Sequence, residues 1–422
     1  MLQRGYDMFN SRRLAAGIAA FVALAFTATA IAPALAEDGV TATEITLGGT
    51  DPFSGPASAY GAVGKGSQAY FEYVNDHGGV NGRKIVYKDL DDGYSPPQTV
   101  QLTRQLVEQD KVFCIFASLG TATSTAIRPY LNQNKIPQLF VATGASKWAH
   151  DAEQFPWTIG WQPDYESEAI IYARNVVKEK PNAKVAIIYQ NDDFGQDYVN
   201  GFKQGLGSHG NLLVKTASYE VTDPDVSSQI ASLKASGADT LLVAATPKFA
   251  VQSLVATAQQ GWKPQIYLTN VSGSETVMRA ATKAGGGPDA TNGIISTQYI
   301  IDPSDPKWAN NPGEKLFKEI MDKYVPGGDT NNAFYLAGMA YAFTMVDVLK
   351  SAGRDITRDK AMKAALSLNE TDNVFLYPGL KVQTSATNHF PITSEALVRY
   401  DNGKWVATGA VIDARSIVKS EK

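Results

Sequence analysis

The chain has 422 residues, enough for two or three domains, and its 44% hydrophobic and 19% charged residues are those of an ordinary soluble protein without low-complexity blocks. A formal net charge of -4, with Lys and Arg scattered along the chain, excludes the basic face that nucleic acid requires. A single cysteine, Cys114 in the apolar run Val112-Phe113-Cys114-Ile115-Phe116, excludes a disulfide framework and reads as a small core residue rather than a reactive thiol.

The first 36 residues differ from the rest. Arg12 and Arg13 precede an apolar run, Leu14 to Ala32, and Ala34-Leu35-Ala36 supplies the small-x-small pattern cut before Glu37. The expectation is a cleaved export signal, by either the general or the twin-arginine route, and a soluble mature chain in the periplasm. Its loss removes Arg4, Arg12, Arg13 and Asp7, leaving the remainder more acidic.

After the signal, Glu44 to Gly61 reads as a brief apolar strand around Ile45 and Leu47, then a Gly/Pro/Ser/Asp loop, with a helix beginning near Ala59 and running from Ala62 to Gly78. Strand Lys84 to Leu90 and a helix capped by Ser95, with Pro96 at its first position, follow. Strand Val112 to Ala117, helix Thr121 to Asn134 and strand Gln138 to Ala142 continue the alternation of a parallel sheet with helices on both faces. Trp161-Gln162-Pro163-Asp164 reads as a crossover. Beyond it the unit restarts: helix Tyr165 to Glu179, strand Lys184 to Gln190, helix Asp193 to Gly205, strand Leu212 to Ser218 and helix Asp225 to Ser236. Strand Thr240 to Ala245, helix Lys248 to Gln260, strand Gln265 to Thr269 and helix Ser274 to Lys283 complete it. Strand Gly293 to Gln298 is read as returning the chain to the first lobe, where helices Pro312 to Tyr324, Asn332 to Ser351 and Thr357 to Leu366 lie. A short strand, Leu380 to Val382, and a hairpin about Asp401-Asn402-Gly403 end the chain.

The fold class is therefore α/β, with two doubly wound lobes around central, mostly parallel sheets. The expected boundaries are 37–161 with 289–376 for the first lobe, 162–288 with 377–415 for the second, and a tail at 416–422. Ligands of open α/β sheets sit at the carboxyl ends of the strands, so two lobes with facing loops would enclose one between them.

Two strand ends carry the clearest signal. In Phe116 to Ser124 the chain passes through Gly120 into a hydroxyl-rich helix start, where Thr121, Thr123 and the free N–H groups can hold an anion. Phe140 to Ser146, with Ala142-Thr143-Gly144, is of the same kind. Either could equally be a plain helix cap. Aromatic residues gather at the loops: Phe53, Tyr60, Trp148, Trp161, Tyr165, Phe194 and Phe249. Asp89, Asp91 and Asp92 lack the alternation of a calcium loop and read as a turn. His77, His150, His209 and His389 fit no metal spacing. Gly61 to Ser67 lacks the glycine interval and Lys-Ser/Thr pair of a phosphate loop, and no nucleophile elbow appears. No enzymatic activity, cofactor or metal is expected.

With those residues in view, the chain resembles, nearly end to end, the type I periplasmic solute-binding proteins of ABC importers, in the leucine/isoleucine/valine-binding branch. The resemblance rests on Thr50-Asp51-Pro52-Phe53-Ser54-Gly55 with Tyr60-Gly61, on Asn75 to Gly82, on Gly120-Thr121, and on Tyr189-Gln190-Asn191-Asp192-Asp193-Phe194-Gly195 with Tyr198. It implies two lobes joined by a three-crossing hinge, closure on a ligand, delivery to permease subunits in the inner membrane, no cofactor, and a monomer. By the same resemblance, Gly120, Thr121 and the loop Ala142, Thr143, Gly144 hold a ligand carboxylate, while Tyr60 and Phe194 line the pocket. Trp161, Gln162, Thr246, Phe249, Asn270 and Val271 complete the candidate ligand-binding set.

One departure shapes the ligand expectation. Where amino-acid binders of the family hold the ammonium with an acidic residue, this chain reads Asn270-Val271-Ser272, and Gln162 stands where a second acid is expected, with Asp164 two residues on. Burying an ammonium without a counter-charge costs several kcal/mol. The expected ligand is thus a carboxylate with an apolar or aromatic body and no amine. A true branched-chain amino-acid binder, or a sensing partner of a membrane receptor, are the alternatives; an exported hydrolase is disfavoured.

Overall fold

Apolar runs of strand length alternate with helices along most of this chain, and in the computed structural model, which describes residues 37–414, they assemble two sheets. The export signal read in residues 1–36 and the tail 416–422 lie outside the described residues. The first sheet is built from β1 (Glu44–Asp51), α1 (Gly61–Asp76), β2 (Lys84–Asp91), α2 (Pro96–Arg104), β3 (Cys114–Phe116), α3 (Thr121–Gln133), β4 (Gln138–Val141), α4 (Lys147–His150) and β5 (Thr158–Gly160). Its order is β2-β1-β3-β4-β5, parallel throughout.

The second sheet begins with α5 (Tyr165–Glu179), β6 (Val185–Gln190), α6 (Asp193–Leu206), β7 (Leu213–Tyr219) and α7 (Ser227–Ala235). It continues with β8 (Thr240–Ala244), α8 (Pro247–Gln259), β9 (Gln265–Leu268), α9 (Glu275–Ala284) and β10 (Ile295–Gln298). Next come α10 (Pro312–Tyr324), α11 (Ala333–Ala352), α12 (Arg358–Ala365) and a two-residue pair, β11 (Asn369–Glu370) with β12 (Val382–Gln383). The hairpin β13 (Ser394–Asp401) and β14 (Lys404–Asp413) closes the chain. The second sheet runs β14-β13-β10-β9-β8-β6-β7; β13 is antiparallel to β10 and to β14, so this sheet is mixed.

Two boundaries move from those expected. Strand β10 does not return the chain to the first lobe, because it hydrogen-bonds to β9 and β13 inside the second sheet; the crossing falls after Gln298, not at 289. Likewise Leu380, Val382 and Ile392 are buried in the first core, so the last crossing comes just before Ser394 rather than at 377. The first core draws on 45–161 and 299–392, with Val277 of α9 added from across the cleft, and two further clusters serve the second lobe.

Helix α11 is apolar nearly all round, as a fully buried helix must be. Its Gly338 meets Val63 of α1 so closely that a Cβ would collide with the carbonyl, and Gly66 meets Tyr335 in the same way. Ser67 Oγ donates to the Gly338 carbonyl at 3.0 Å. Cys114 is fully buried, which pushes its thiol up to about 12. Asp91 and Asp92 serve their turn, accepting from Ser54 N and Gly93 N and from Tyr94 N and Thr99 Oγ1 respectively. Ser95 stands at the N-cap of α2 without a side-chain bond.

The lobes are tied across their cleft by side chains. Ser146 N and Oγ donate to the Asp197 carboxylate at 2.8 and 3.1 Å, and Lys147 pairs with Asp193 at 2.5 Å. At another point Ser274 Oγ donates to Asn332 Oδ1 at 3.1 Å and Arg279 pairs with Asp329 at 2.6 Å. No helix among the described residues is long and apolar enough to cross a membrane.

Candidate ligand-binding site

A cavity lies between the lobes, at the carboxyl ends of strands from both sheets, with about 90 Å³ of space for water-sized spheres. That suits a small molecule rather than a peptide. Of the candidate residues, Tyr60, Gly120, Thr121, Ala142, Thr143, Gln162, Phe194, Thr246, Asn270 and Val271 line it.

On the first-lobe side the backbone is bent at each strand end. Ala117 has φ 49°, Phe140 φ 57° and Gly120 φ 102°. At Gly120 a Cβ would stand 2.5 Å from Tyr94 Cε2 and 2.6 Å from Thr123 Oγ1, so glycine is needed both for its conformation and for the close approach. Helix α3 starts at Thr121 with no side-chain cap, which leaves its first N–H groups without intrahelical partners. Thr121 Oγ1 and Thr143 Oγ1 are 2.5 Å apart, and Thr143 Oγ1 donates to Tyr165 OH at 3.2 Å. Gln162 Nε2 donates to the same phenol oxygen at 3.4 Å and Gln162 Oε1 accepts from Tyr341 OH at 2.6 Å. Hydroxyls and amides thus connect the α3 start, the hinge and the second lobe.

The second-lobe wall is part aromatic and part polar. Phe194 meets Tyr165 edge-on at 4.9 Å, and Thr246 N donates to Tyr219 OH at 3.1 Å. Behind the wall stand two buried carboxylates. Glu168 accepts from Asn270 N at 2.8 Å and from the phenols of Tyr172 and Tyr198 at 2.5 Å each. Glu395 Oε1 accepts from Asn270 Nδ2 at 2.7 Å and from Thr297 Oγ1 at 2.8 Å. Burial raises Glu168 to about 7 despite those donors; burial, then the charge of Glu168, raises Glu395. Neither carboxylate lines the cavity; Asn270 stands in front of both.

Four expectations need correction. Trp161 is a core residue, fully buried, with Nε1 donating to Thr344 Oγ1 at 2.9 Å and its ring 4.5 Å from that of Tyr341. Phe249 packs on Tyr219 at 4.3 Å inside the second lobe. Gly144 lies behind the wall, where its carbonyl accepts from Tyr165 N. The Thr123 hydroxyl, read as an anion contact, turns back to the Leu119 and Gly120 carbonyls at 2.5 and 3.0 Å. Asp164 caps α5 through Ser167 and does not line the cavity.

Sequence reasoning did not single out Tyr94, Tyr299, Phe334, Tyr341 or Trp405 as lining residues, nor Asp302, a carboxylate only 3% exposed on the hinge segment after β10. Tyr94 carried a usable signal: it follows the Asp91-Asp92-Gly93 turn at a strand end and has φ 62°. Among the described residues, no Lys, Arg or His lines the cavity.

The family model described as "Periplasmic binding protein" matches residues 44–404, and the chain belongs to that family. Within it the chain is a type I protein of the leucine/isoleucine/valine-binding branch, a family of solute-binding proteins and not of enzymes. A Leu/Ile/Val-binding protein homolog 1 from Brucella abortus is 28% identical over 342 residues, 80% of this chain and 87% of the relative. Among solved structures, a branched-chain amino acid ABC transporter protein from Thermus thermophilus with bound valine superposes with TM-score 0.78 at 18% identity, covering 90% of this chain and 99% of that one. A fatty acid ABC transporter substrate-binding protein from Thermomonospora curvata gives TM-score 0.76 at 22% identity, covering 90% and 96%.

Proposed function

We propose that this chain is the solute-binding component of an ABC importer of the branched-chain amino-acid type. Exported by its N-terminal signal, it closes in the periplasm as a monomer on a small carboxylate and delivers it to permease subunits. The ligand carboxylate lies at the start of α3, where free N–H groups and the Thr121 and Thr143 hydroxyls meet it. Its body is aromatic or acyl and lies against Tyr60, Phe194, Phe334 and Trp405. The observation carrying the amine-free reading is Val271, an apolar residue in the wall where amino-acid binders place their acid. The Thermomonospora curvata relative, described as fatty-acid binding, supports it.

A second reading, a neutral amino acid, is favoured by Asp302 in the hinge wall and by the relatives described as Leu/Ile/Val-binding or valine-bound. A thermal-shift panel separates the two. Benzoate, cinnamate and hexanoate are set against leucine, valine and phenylalanine, each expected to add about 2.7 kcal/mol at one hundred times its dissociation constant if bound. Stabilisation by leucine or valine alone overturns the amine-free reading.

A further inference from the structure

Helix α9 serves both lobes. Its Met278 and Ala281 are buried in a core of the second lobe, whereas Val277, 5% exposed, is the one buried second-lobe side chain in the first core among the described residues. Val221, after β7, and Val251, on α8, pack half-buried against the same cluster. None of the three valines lines the ligand cavity. With Pro56, Ala59 and Phe334 they line a second hollow between the lobes, and Phe334 lines both. On the same helix Ser274 Oγ donates to Asn332, and Thr276 Oγ1 and Arg279 both donate to Asp329, at 3.4 and 2.6 Å. The side chains of Arg279 and Asp329 are 50% and 38% exposed, so their pair adds little, and the buried valine dominates the contact.

A contact that forms only when the lobes meet, and that the ligand does not touch, shifts the balance of open and closed chain equally for every ligand. We propose that Val277, with Val221 and Val251, is an apolar clasp between the lobes that supplies part of the free energy of closure. It sets how tightly a solute is held without selecting which solute. This inference rests on the reading of the chain as a solute-binding protein that closes, and not on the identity of the solute. Opening returns Val277 to water, which corresponds to about tenfold in the closure equilibrium.

Calorimetry on the mature protein with cinnamate, hexanoate, leucine and valine as probes, native against Val277→Ser, tests it. Each probe that the native protein binds is expected to lose about fivefold to tenfold in affinity, by one common factor, and to be released faster in stopped flow. Val277 belongs to neither second-lobe cluster, so the variant keeps those cores, and circular dichroism checks its fold. Affinities within about twofold of native in the folded variant remove the clasp. A loss confined to one probe also removes it, because Val277 would then be a ligand contact. Should Val277→Ser not fold, Val221→Ser is read in the same way, with about threefold expected. If none of the four probes binds, the ligand readings fall and small-angle scattering from the ligand-free chain decides the clasp instead. Val277→Asp is expected to be more expanded than the native chain, and superposable curves overturn the proposal.

Discussion

The first-lobe wall of the cleft takes its polar groups from two neighbouring strand ends, at Gly120-Thr121 and Ala142-Thr143, and presents donors. The opposite wall takes Phe194, Asn270, Asp302 and Trp405 from four separate stretches of the second lobe and hinge and presents rings and acceptors. One wall is made by local backbone geometry, since a strand that stops at a glycine and turns into a helix must aim N–H groups outward. The other is made by packing: Asn270 is positioned by Glu168 and Glu395, which come from α5 and β13. A wall of the first kind should tolerate change elsewhere in the fold, and one of the second should fail when its supports are removed.

The largest effect should come from those supports. Glu168→Ala takes the acceptor from Asn270 N and from the phenols of Tyr172 and Tyr198, all buried, and is expected to cost about 3 kcal/mol or more of stability in chemical denaturation. Loss of under about 1 kcal/mol would show that the second wall stands without its buried acid.

Next is Gly120→Val, which forces a branched side chain to φ 102° against Tyr94 and should cost about 2 kcal/mol, felt in ligand affinity as well as in melting temperature. Native-like affinity there would show that the α3 start does not meet the ligand. Smaller still, Thr121→Val and Thr143→Val should each weaken acid binding by about fivefold, and the double variant by less than the product, because the two hydroxyls are 2.5 Å apart and share a bond.

The smallest effect is on pH. Asp197 accepts from Ser146 across the cleft, and burial first, then the charges of Glu166 and Asp164, raise it to about 7 against those two hydrogen bonds. A carboxyl whose folded value lies above its unfolded one binds its proton more tightly when folded. Its contribution is therefore most favourable below the unfolded value near 4, declines as pH rises, and levels off above about 7. Melting temperature measured from pH 4.5 to 7.5 should fall less steeply in Asp197→Asn than in the native chain. Parallel slopes would remove Asp197 from the account.

Most of the fold was legible in the sequence because strand and helix periods alternate cleanly: Tyr165–Glu179 and Pro312–Tyr324 begin and end as their patterns predict. The crossings were less so. A four-residue strand such as β10 carries no mark of which sheet it joins, and only its bonds to β9 and β13 decide it. In the site, Gly120, Thr121 and Thr143 were readable from local turn chemistry, whereas Trp161 and Phe249 were misplaced because an aromatic near a loop serves a core as readily as a cavity. That Asp302 Oδ2 meets no hydrogen-bond donor among the described residues depends on what else the fold brings near it, and no local pattern announces that.

The contact between α1 and α11 also bears on how the molecule is made. Ser67 waits for Gly338, and the first sheet, complete at Gly160, has no α11 to cover it until the second-lobe stretch from α5 to β10 has been synthesised. Assembly therefore cannot run lobe by lobe from the N-terminus, and a nascent chain held at an intermediate length exposes sticky surface that a chaperone or export factor can grasp.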